Sequence, residues 1–371
     1  MTLLQAYLRA GGAPGDLLAR GVKHRRHALH PNLVLFKYGI AAPFEDPLVR
    51  ECRGVVLDEA DGWAVVAHAF DKFFNHGEAL ASPIDWSTAR VQEKLDGSLC
   101  VLYAYRGEWR VATTGTPDAS GEIHATGLSF ADYYWKTFAA EGGALPDARV
   151  SAPHADLSFA FELMGPANRI VVVHERPWLR LLAVRDRTTG LERPPEDYEG
   201  ALGIPAVRSF PLSSLGEILA SFSEISPMSQ EGYVVVDAAF RRIKIKHPGY
   251  VALHHAKDGL GPRAFIEIAR TGEEGEVASA FPELRPLIDD ARARYAAFRA
   301  AVREAYGPIA GIEAQKDFAR EALRTPYSAP LFQMRKGADL EAFLRGVPVD
   351  KLMAWMGVAD DSAPATSAED P

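Results

Sequence analysis

One lysine stands two residues before an Asp-Gly-Ser turn in the stretch Gln92-Glu93-Lys94-Leu95-Asp96-Gly97-Ser98-Leu99. A lysine at a strand end is held by the sheet behind it, and Gly97 lets another group come close to the backbone. That arrangement suits an amine nucleophile. Lys-x-Asp-Gly is also an ordinary hairpin sequence, so the stretch carries weight only through its company. That company is ordered along the chain: Arg53-Gly54, Lys72 wedged among aromatics, Lys94, Glu162 between apolar residues, Glu231-Gly232, and Lys244-x-Lys246.

One reactive lysine, several cations and two carboxylates form a set suited to handling a nucleoside triphosphate. The chain has no Gly-x-x-x-x-Gly-Lys loop and no dinucleotide-binding glycine fingerprint, so the common phosphate-binding solutions are absent. A carboxylate such as Glu162, set among apolar strand residues, needs a cation or a metal beside it.

These residues must be positioned by strands. Val91–Lys94 and Leu99–Tyr105 read as strands broken at Asp96-Gly97. Leu33–Tyr38, Cys52–Asp58, Trp63–Ala69, Trp109–Thr116 and Leu179–Val184 read the same way. Glu231–Asp237 and Arg241–Lys246 read as an antiparallel pair. On its second strand Arg242, Lys244 and Lys246 share one face and Ile243 and Ile245 the other. If only the isoleucine face is covered, the cations are solvated. If both faces are enclosed, like charges two residues apart repel, and an anion between them relieves the cost. Val22–His30 is a compact basic patch that reads as a solvated loop, with a phosphate-backbone contact as its functional alternative. Its three histidines have no further ligand set, which argues against a metal.

Helical spacing appears at Leu3–Leu8 and Gly127–Glu141, and dominates after about Ala264 through Leu284, Leu287, Ile288, Ala291, Tyr295, Phe298, Val302 and Tyr306. The expected fold is therefore α+β. An N-terminal domain of antiparallel sheets with flanking helices spans 1–262, a small all-α domain spans 263–356, and an acidic Ser/Ala/Pro-rich tail spans 357–371 and is expected to be disordered.

The 371-residue chain has 47% apolar and 24% charged residues, an ordinary globular balance. Net charge −8 argues against a non-specific nucleic-acid coat. The charge is uneven: residues 1–50 hold seven Lys/Arg against three Asp/Glu, and residues 267–371 hold thirteen against eighteen. Two distant cysteines, Cys52 and Cys100, exclude a disulfide framework and a zinc-type cluster. No apolar run reaches membrane-helix length and Met1–Ala10 does not read as a secretory signal, so a cytoplasmic location is expected.

Six segments in order resemble the T-even phage RNA ligase 1 family of the covalent nucleotidyltransferases. They are Glu51-Cys52-Arg53-Gly54, Lys72-Phe73-Phe74-Asn75, Glu93-Lys94-Leu95-Asp96-Gly97-Ser98-Leu99, Phe161-Glu162-x-x-Gly165-Pro166-x-Asn168-Arg169-Ile170-Val171, Glu231-Gly232-Tyr233-Val234 and Lys244-Ile245-Lys246-x-x-x-Tyr250. The Pro-x-Asn-Arg-Ile-Val run favours this branch over DNA ligases and capping enzymes. The resemblance implies an ATP-dependent RNA ligase working through lysyl-AMP and RNA-adenylate intermediates to join a 5′-phosphate to a 3′-hydroxyl. Lys94 would be the nucleophile, with Lys244, Lys246 and Arg53 as catalytic partners. Glu93, Lys72, Phe74, Gly97, Glu162, Glu231, Gly232 and Tyr250 would bind the nucleotide, and Glu231 and Glu162 would hold Mg²⁺ or Mn²⁺. Cations near Lys94 would favour its neutral, nucleophilic form. The implied partner is a single-stranded or nicked tRNA-like RNA, supplied by a separate end-healing kinase or phosphatase, with no membrane involved. Where the phage enzyme carries a lysine, this chain has Thr114, for which Arg110 is the candidate substitute. The competing readings are a non-catalytic nucleotide or RNA-end binder and a polynucleotide ligase acting on DNA.

Overall fold

Apolar strands alternate with basic and glycine-rich breaks through the first two thirds of the chain, and among the described residues they assemble into three larger sheets and one two-stranded ribbon. The structure is a computed structural model that describes residues 1–123, 126–149, 152–255, 261–280 and 284–358. The described chain divides into two compact units between His247 and Pro248.

In the first unit, β1 (Val22–Arg26), β2 (Leu33–Tyr38), β3 (Arg53–Asp58) and β4 (Ala64–Ala67) form an antiparallel sheet in that order. Helices α1 (Leu3–Arg9) and α2 (Pro47–Glu51) cover one face through Leu4, Leu8, Leu48 and Val49. The basic patch expected as a loop is instead mostly the edge strand β1. Its side chains from Lys23 to Arg26 are exposed, so no apolar alternation marks it as a strand, and its order comes from full pairing with β2.

After β5 (Phe74–Asn75) come β6 (Arg90–Lys94), β7 (Ser98–Tyr105) and β8 (Glu108–Thr113). A short ribbon, β9 (Glu122–Ile123) with β10 (Leu128–Ser129), leads into α3 (Phe130–Ala140). The remaining strands are β11 (Leu157–Met164), β12 (Trp178–Asp186), β13 (Glu192–Arg193), β14 (Ser209–Phe210), β15 (Gly232–Val236) and β16 (Arg242–Lys246). The second sheet has the order β13-β12-β11-β7-β8 and the third β14-β6-β15-β16-β5. The pair β6 and β7 is therefore no hairpin: the chain leaves one sheet at Lys94 and enters another at Ser98.

The second sheet is covered on both faces. Val101, Tyr103, Ala112 and Ala160 meet Leu33, Leu35 and Val56 of the first sheet. On the other face, Cys100, Leu102, Phe159 and Phe161 meet Tyr134 and Phe138 of α3. Double coverage explains why β7 and β11 read as nearly continuous apolar runs. The third sheet buries Val91, Tyr233, Val235, Ile243 and Ile245 against Ile218 and Phe222, the first of which lies on α4 (Leu215–Ser221).

The second unit is helical among its described residues. Its longest helix, Arg285–Tyr306, buries Ile288, Ala291, Tyr295, Phe298 and Val302 at three-and-four spacing. Leu287, counted with them by spacing, is half exposed. The boundary lies fifteen residues before the expected 262, because the helix Pro248–His255 buries Val251 in the helical core. Of the expected tail, 359–371 lie outside the described residues. Gly357 caps the last helix, Val349–Met356, and Val358 packs on the core. Among the described residues no helix is long and apolar enough to cross a membrane.

Candidate active site

Lys94 is the last residue of β6, where the chain steps from the third sheet to the second. The step is built tightly. Asp96 is buried, and its Oδ2 accepts 2.8 Å hydrogen bonds from the N–H groups of Val171 and Val172. Asn168 donates to Ser98 Oγ at 3.1 Å and to the Leu163 carbonyl at 2.7 Å. The Asn-Arg-Ile-Val run thus clamps the turn that carries Lys94. Sequence reading placed Asp96 and Asn168 in motifs without giving them this work, because the partners lie some seventy residues away. Gly97 also differs from expectation. A Cβ there would come within 3.0 Å of Leu163 C and 3.1 Å of Met164 Cγ. Glycine is required for close approach to β11, the protein's own strand, and the Gly97 N–H donates to Glu162.

Register assembles the rest of the site. Lys94 pairs with Gly232, and Gly232 pairs with Lys246 on its other side. One row across three strands therefore reads lysine, glycine, lysine. Two residues along, on the same face, Gln92, Val234 and Lys244 align, and Asn75 of β5 follows Lys244. Gly232 has φ +146°, and a Cβ would lie 2.7 Å from Lys246 Cα, so glycine is demanded there. Lys94 Nζ forms an ion pair with the buried Glu231 carboxylate.

Ile243 and Ile245 are buried, and the opposite face of β16 is not left to solvent. Lys244 is partly buried. Desolvation first, then the charges of Lys246, Lys94 and Lys72, bring its pKa down to about 7, with Glu78 opposing. The repulsion expected at the nucleophile is therefore felt at Lys244, while Lys94 itself is held by an anion. Arg242 leaves this cluster. It is buried in a two-point pair with Glu192 at 2.9 and 2.6 Å and lies 4.9 Å from the Phe70 ring.

Glu162 lies on β11 opposite Leu99. Desolvation raises its pKa to about 7; the Glu231 charge adds to the rise, and Lys94, Arg53 and the Gly97 N–H oppose it. Arg53 faces the side from which its charge acts on this carboxylate because of a bulge. The β2–β3 register runs Phe36↔Val55 and then Lys37↔Arg53, leaving Gly54 unpaired at φ +82°. The extra residue turns Arg53 onto the face of Leu35, where it lies over Phe70 and Phe73 at 4.9 and 5.1 Å. Burial lowers the pKa of the Arg53 guanidinium, with Tyr38 and Glu162 opposing.

Lys72 sits in an aromatic cage of Phe44, Phe74 and Tyr38 at 4.3, 5.0 and 5.5 Å. Phe74 is buried as a wall of that cage. Glu93, one residue before Lys94, pairs with Tyr233 in the β15 register; burial raises its pKa, with Arg208 and Arg180 opposing. A cavity of about 190 Å³ is lined by Glu93, Lys94, Asp96, Val172, Trp178 and Glu231, among others. Tyr250 belongs to the second unit, where it is buried in the helix Pro248–His255. Arg110, the candidate substitute at Thr114, pairs instead with Glu108 at 2.6 Å. Thr114 faces Gly54, whose Cβ would lie 2.8 Å from Thr114 Cα.

The chain's residues 51–250 match the RNA ligase family of the T4 RNA ligase 1 type. That match covers more than half of the chain and includes every motif of the site. The chain belongs to this RNA ligase family. It is 28% identical over 298 residues to the RNA ligase of Rhodothermus phage RM378, covering 64% of this chain and 67% of the relative. It is 31% identical over 226 residues to RNA ligase 1 of bacteriophage TS2126, covering 56% of this chain and 52% of that one. The fold is also that of an archaeal ATP-dependent RNA ligase, with TM-score 0.52, 17% identity, and 87% and 90% of the two chains covered. The chain thus spans about two thirds of one phage relative and half of the other.

The two carboxylates fit a divalent metal of one kind. Glu162 and Glu231 feel each other's charge, and a cation between them relieves that repulsion. Among the described residues no third His, Cys, Asp or Glu joins them. Such a sparse donor set suits Mg²⁺ or Mn²⁺ bound largely by substrate phosphates and water.

Proposed function

We propose that the protein is an ATP-dependent RNA ligase that seals a 5′-phosphate to a 3′-hydroxyl through two adenylylated intermediates. The observation that carries this reading is the amine of Lys94, held by Glu231, with Lys244 close enough to feel the charges of Lys94, Lys246 and Lys72 together. An isolated cluster of four lysines is costly; a polyphosphate converts that cost into binding.

In the first step the Lys94 amine, once its proton has left, attacks the α-phosphorus of ATP. A P–N bond forms and the P–O bond to pyrophosphate breaks. In the second step an oxygen of the RNA 5′-phosphate displaces lysine and takes up AMP. In the third a 3′-hydroxyl attacks the RNA 5′-phosphorus and releases AMP. Phosphoryl transfer needs positioning and charge neutralisation more than covalent help. Lys244 and Lys246 neutralise the phosphate beside Lys94, and Arg53 from the first sheet and Lys72 from the segment before β5 orient the anion. Glu162 and Glu231 offer oxygens to Mg²⁺ or Mn²⁺, which would supply charge neutralisation on the phosphates. The aromatic cage keeps the Lys72 stem fixed. The substrates are single-stranded or nicked RNA ends of the tRNA type, prepared by a separate kinase or phosphatase.

The test is incubation of a 5′-phosphorylated single-stranded RNA with the protein, ATP and Mg²⁺. The expected products are joined or circular RNA, with nicked duplex DNA sealed poorly. Efficient sealing of DNA nicks would move the substrate to DNA. Binding of ATP and RNA without any joining would favour the non-catalytic reading.

A further inference from the structure

Away from Lys94 and Glu231, the turn Gly97–Leu99 borders a second and larger cleft of about 790 Å³. One wall is β1 and β2, with Lys23, Arg25 and Lys37. The other is the Thr113–Thr116 turn. No carboxylate stands among its described lining residues. Lys23, Arg25 and Lys37 are exposed, and none of the three has an ion-pair partner among the described residues, although most arginines of this net-acidic chain do.

The register makes the arrangement specific. Lys23 of β1 lies directly opposite Lys37 of β2, and Lys37 lies directly opposite Arg53 of β3. Opposed residues share a face, and neighbouring strands are about 4.8 Å apart. Three cations thus form one cross-strand row from the sheet edge to the catalytic Arg53. Like charges placed directly opposite are destabilising, and here two such pairs adjoin. The Lys37 Nζ lies 4.0 Å from where a Gly115 Cβ would stand, so the row faces into the cleft. Cations on an edge strand often serve only to prevent edge-to-edge pairing. That accounts for Lys23 and Arg25. It does not account for Lys37, which lies on an interior strand, or for the continuation to Arg53.

We propose that this cleft is a track for the sugar-phosphate backbone of single-stranded RNA, with Lys23 and Lys37 as its phosphate contacts, delivering the strand to Arg53. The choice of RNA as the polyanion rests on the ligase reading. The track is open at the β1 edge, so a chain can run out of it. The triphosphate is instead served by the Lys94–Lys246 row on the third sheet.

The test measures fluorescence anisotropy of a labelled 5′-phosphorylated oligoribonucleotide with the full-length protein, over a salt series and without ATP. The Lys23→Ala/Lys37→Ala double variant is expected to bind about tenfold more weakly near 0.1 M salt. Its slope of log affinity against log salt should fall by about 1.4, at about 0.7 per phosphate contact on a single strand. The Lys23→Arg/Lys37→Arg variant should keep both, and AMP uptake from ATP should be unchanged in all three proteins. Unchanged RNA affinity and slope in the alanine variant would overturn the proposal. So would a defect confined to AMP uptake, which would reassign these cations to the triphosphate. If even the unmodified protein took up no AMP while the slope change was seen, the track would stand and the ligase reading would fall.

Discussion

At the scale of single residues, the site is a set of charges whose cost is visible. Burial beside three other lysines takes Lys244 from an ordinary 10.5 to about 7 in the folded protein. A lysine whose folded pKa is depressed contributes fully to stability only above its unfolded pKa, and that contribution is lost as pH falls towards the folded value. Lys244→Met removes the group. The variant should match the unmodified protein in stability above about pH 10.5. Below that it should gain by at most roughly 1.4 kcal/mol per pH unit until the gain levels off near pH 7. Denaturant melts at pH 7 and pH 10.5 without nucleotide measure this, and a gain that is equal at both would contradict it. Glu162 behaves in the opposite sense. Its folded pKa is raised to about 7, so the carboxylate able to hold a cation forms as pH rises through 7. Mn²⁺ binding followed by electron paramagnetic resonance should strengthen over that range, and in Glu162→Gln the dependence should flatten. The types of these residues were legible in the sequence. Their pairing was not: Lys94 with Glu231, and Arg242 with Glu192 rather than with the lysines, depend on which strands become neighbours.

At the scale of elements, two backbone devices do the positioning. The first is the crossing from β6 to β7 between sheets, clamped by Asp96 and Asn168. Sequence alone reads that stretch as a hairpin, because an Asp-Gly break between two apolar runs is the usual hairpin signal. The strand partners that separate the two halves, β15 and β11, lie far along the chain. The second device is the Gly54 bulge, which turns Arg53 towards Glu162. Arg53 beside a glycine was conspicuous in the sequence, but a bulge leaves no mark there beyond the glycine itself. Gly54→Ala puts a side chain at φ +82° and 2.8 Å from Thr114 Cα. It should cost about 2 kcal/mol or more in denaturant unfolding and lower RNA joining with Arg53 still present. A variant of full stability and full activity would show that the bulge does not direct Arg53.

At the scale of the whole molecule, each of the two units is held by apolar clusters of its own. The sheets of 1–247 bury their own faces, and the helices after Pro248 bury Phe318, Leu331, Leu344 and Leu352 among themselves. The helical character of that part was plain from its three-and-four spacing. Its beginning was not, since Pro248–His255 is a short helix that follows β16 after His247 alone, with no long linker to mark the change of unit. Residues 1–247 expressed alone should give a cooperative thermal transition and a protease-resistant fragment. A broad, non-cooperative melt would show that the first unit needs the second to fold.

The account depends on Lys94 becoming bonded to AMP. The direct measurement is incubation with α-labelled ATP and Mg²⁺, followed by peptide mapping of the labelled protein. The predicted result is one labelled peptide containing Lys94 and no label on Lys94→Ala. Label that persists on Lys94→Ala, or that maps to another lysine such as Lys244, would contradict it.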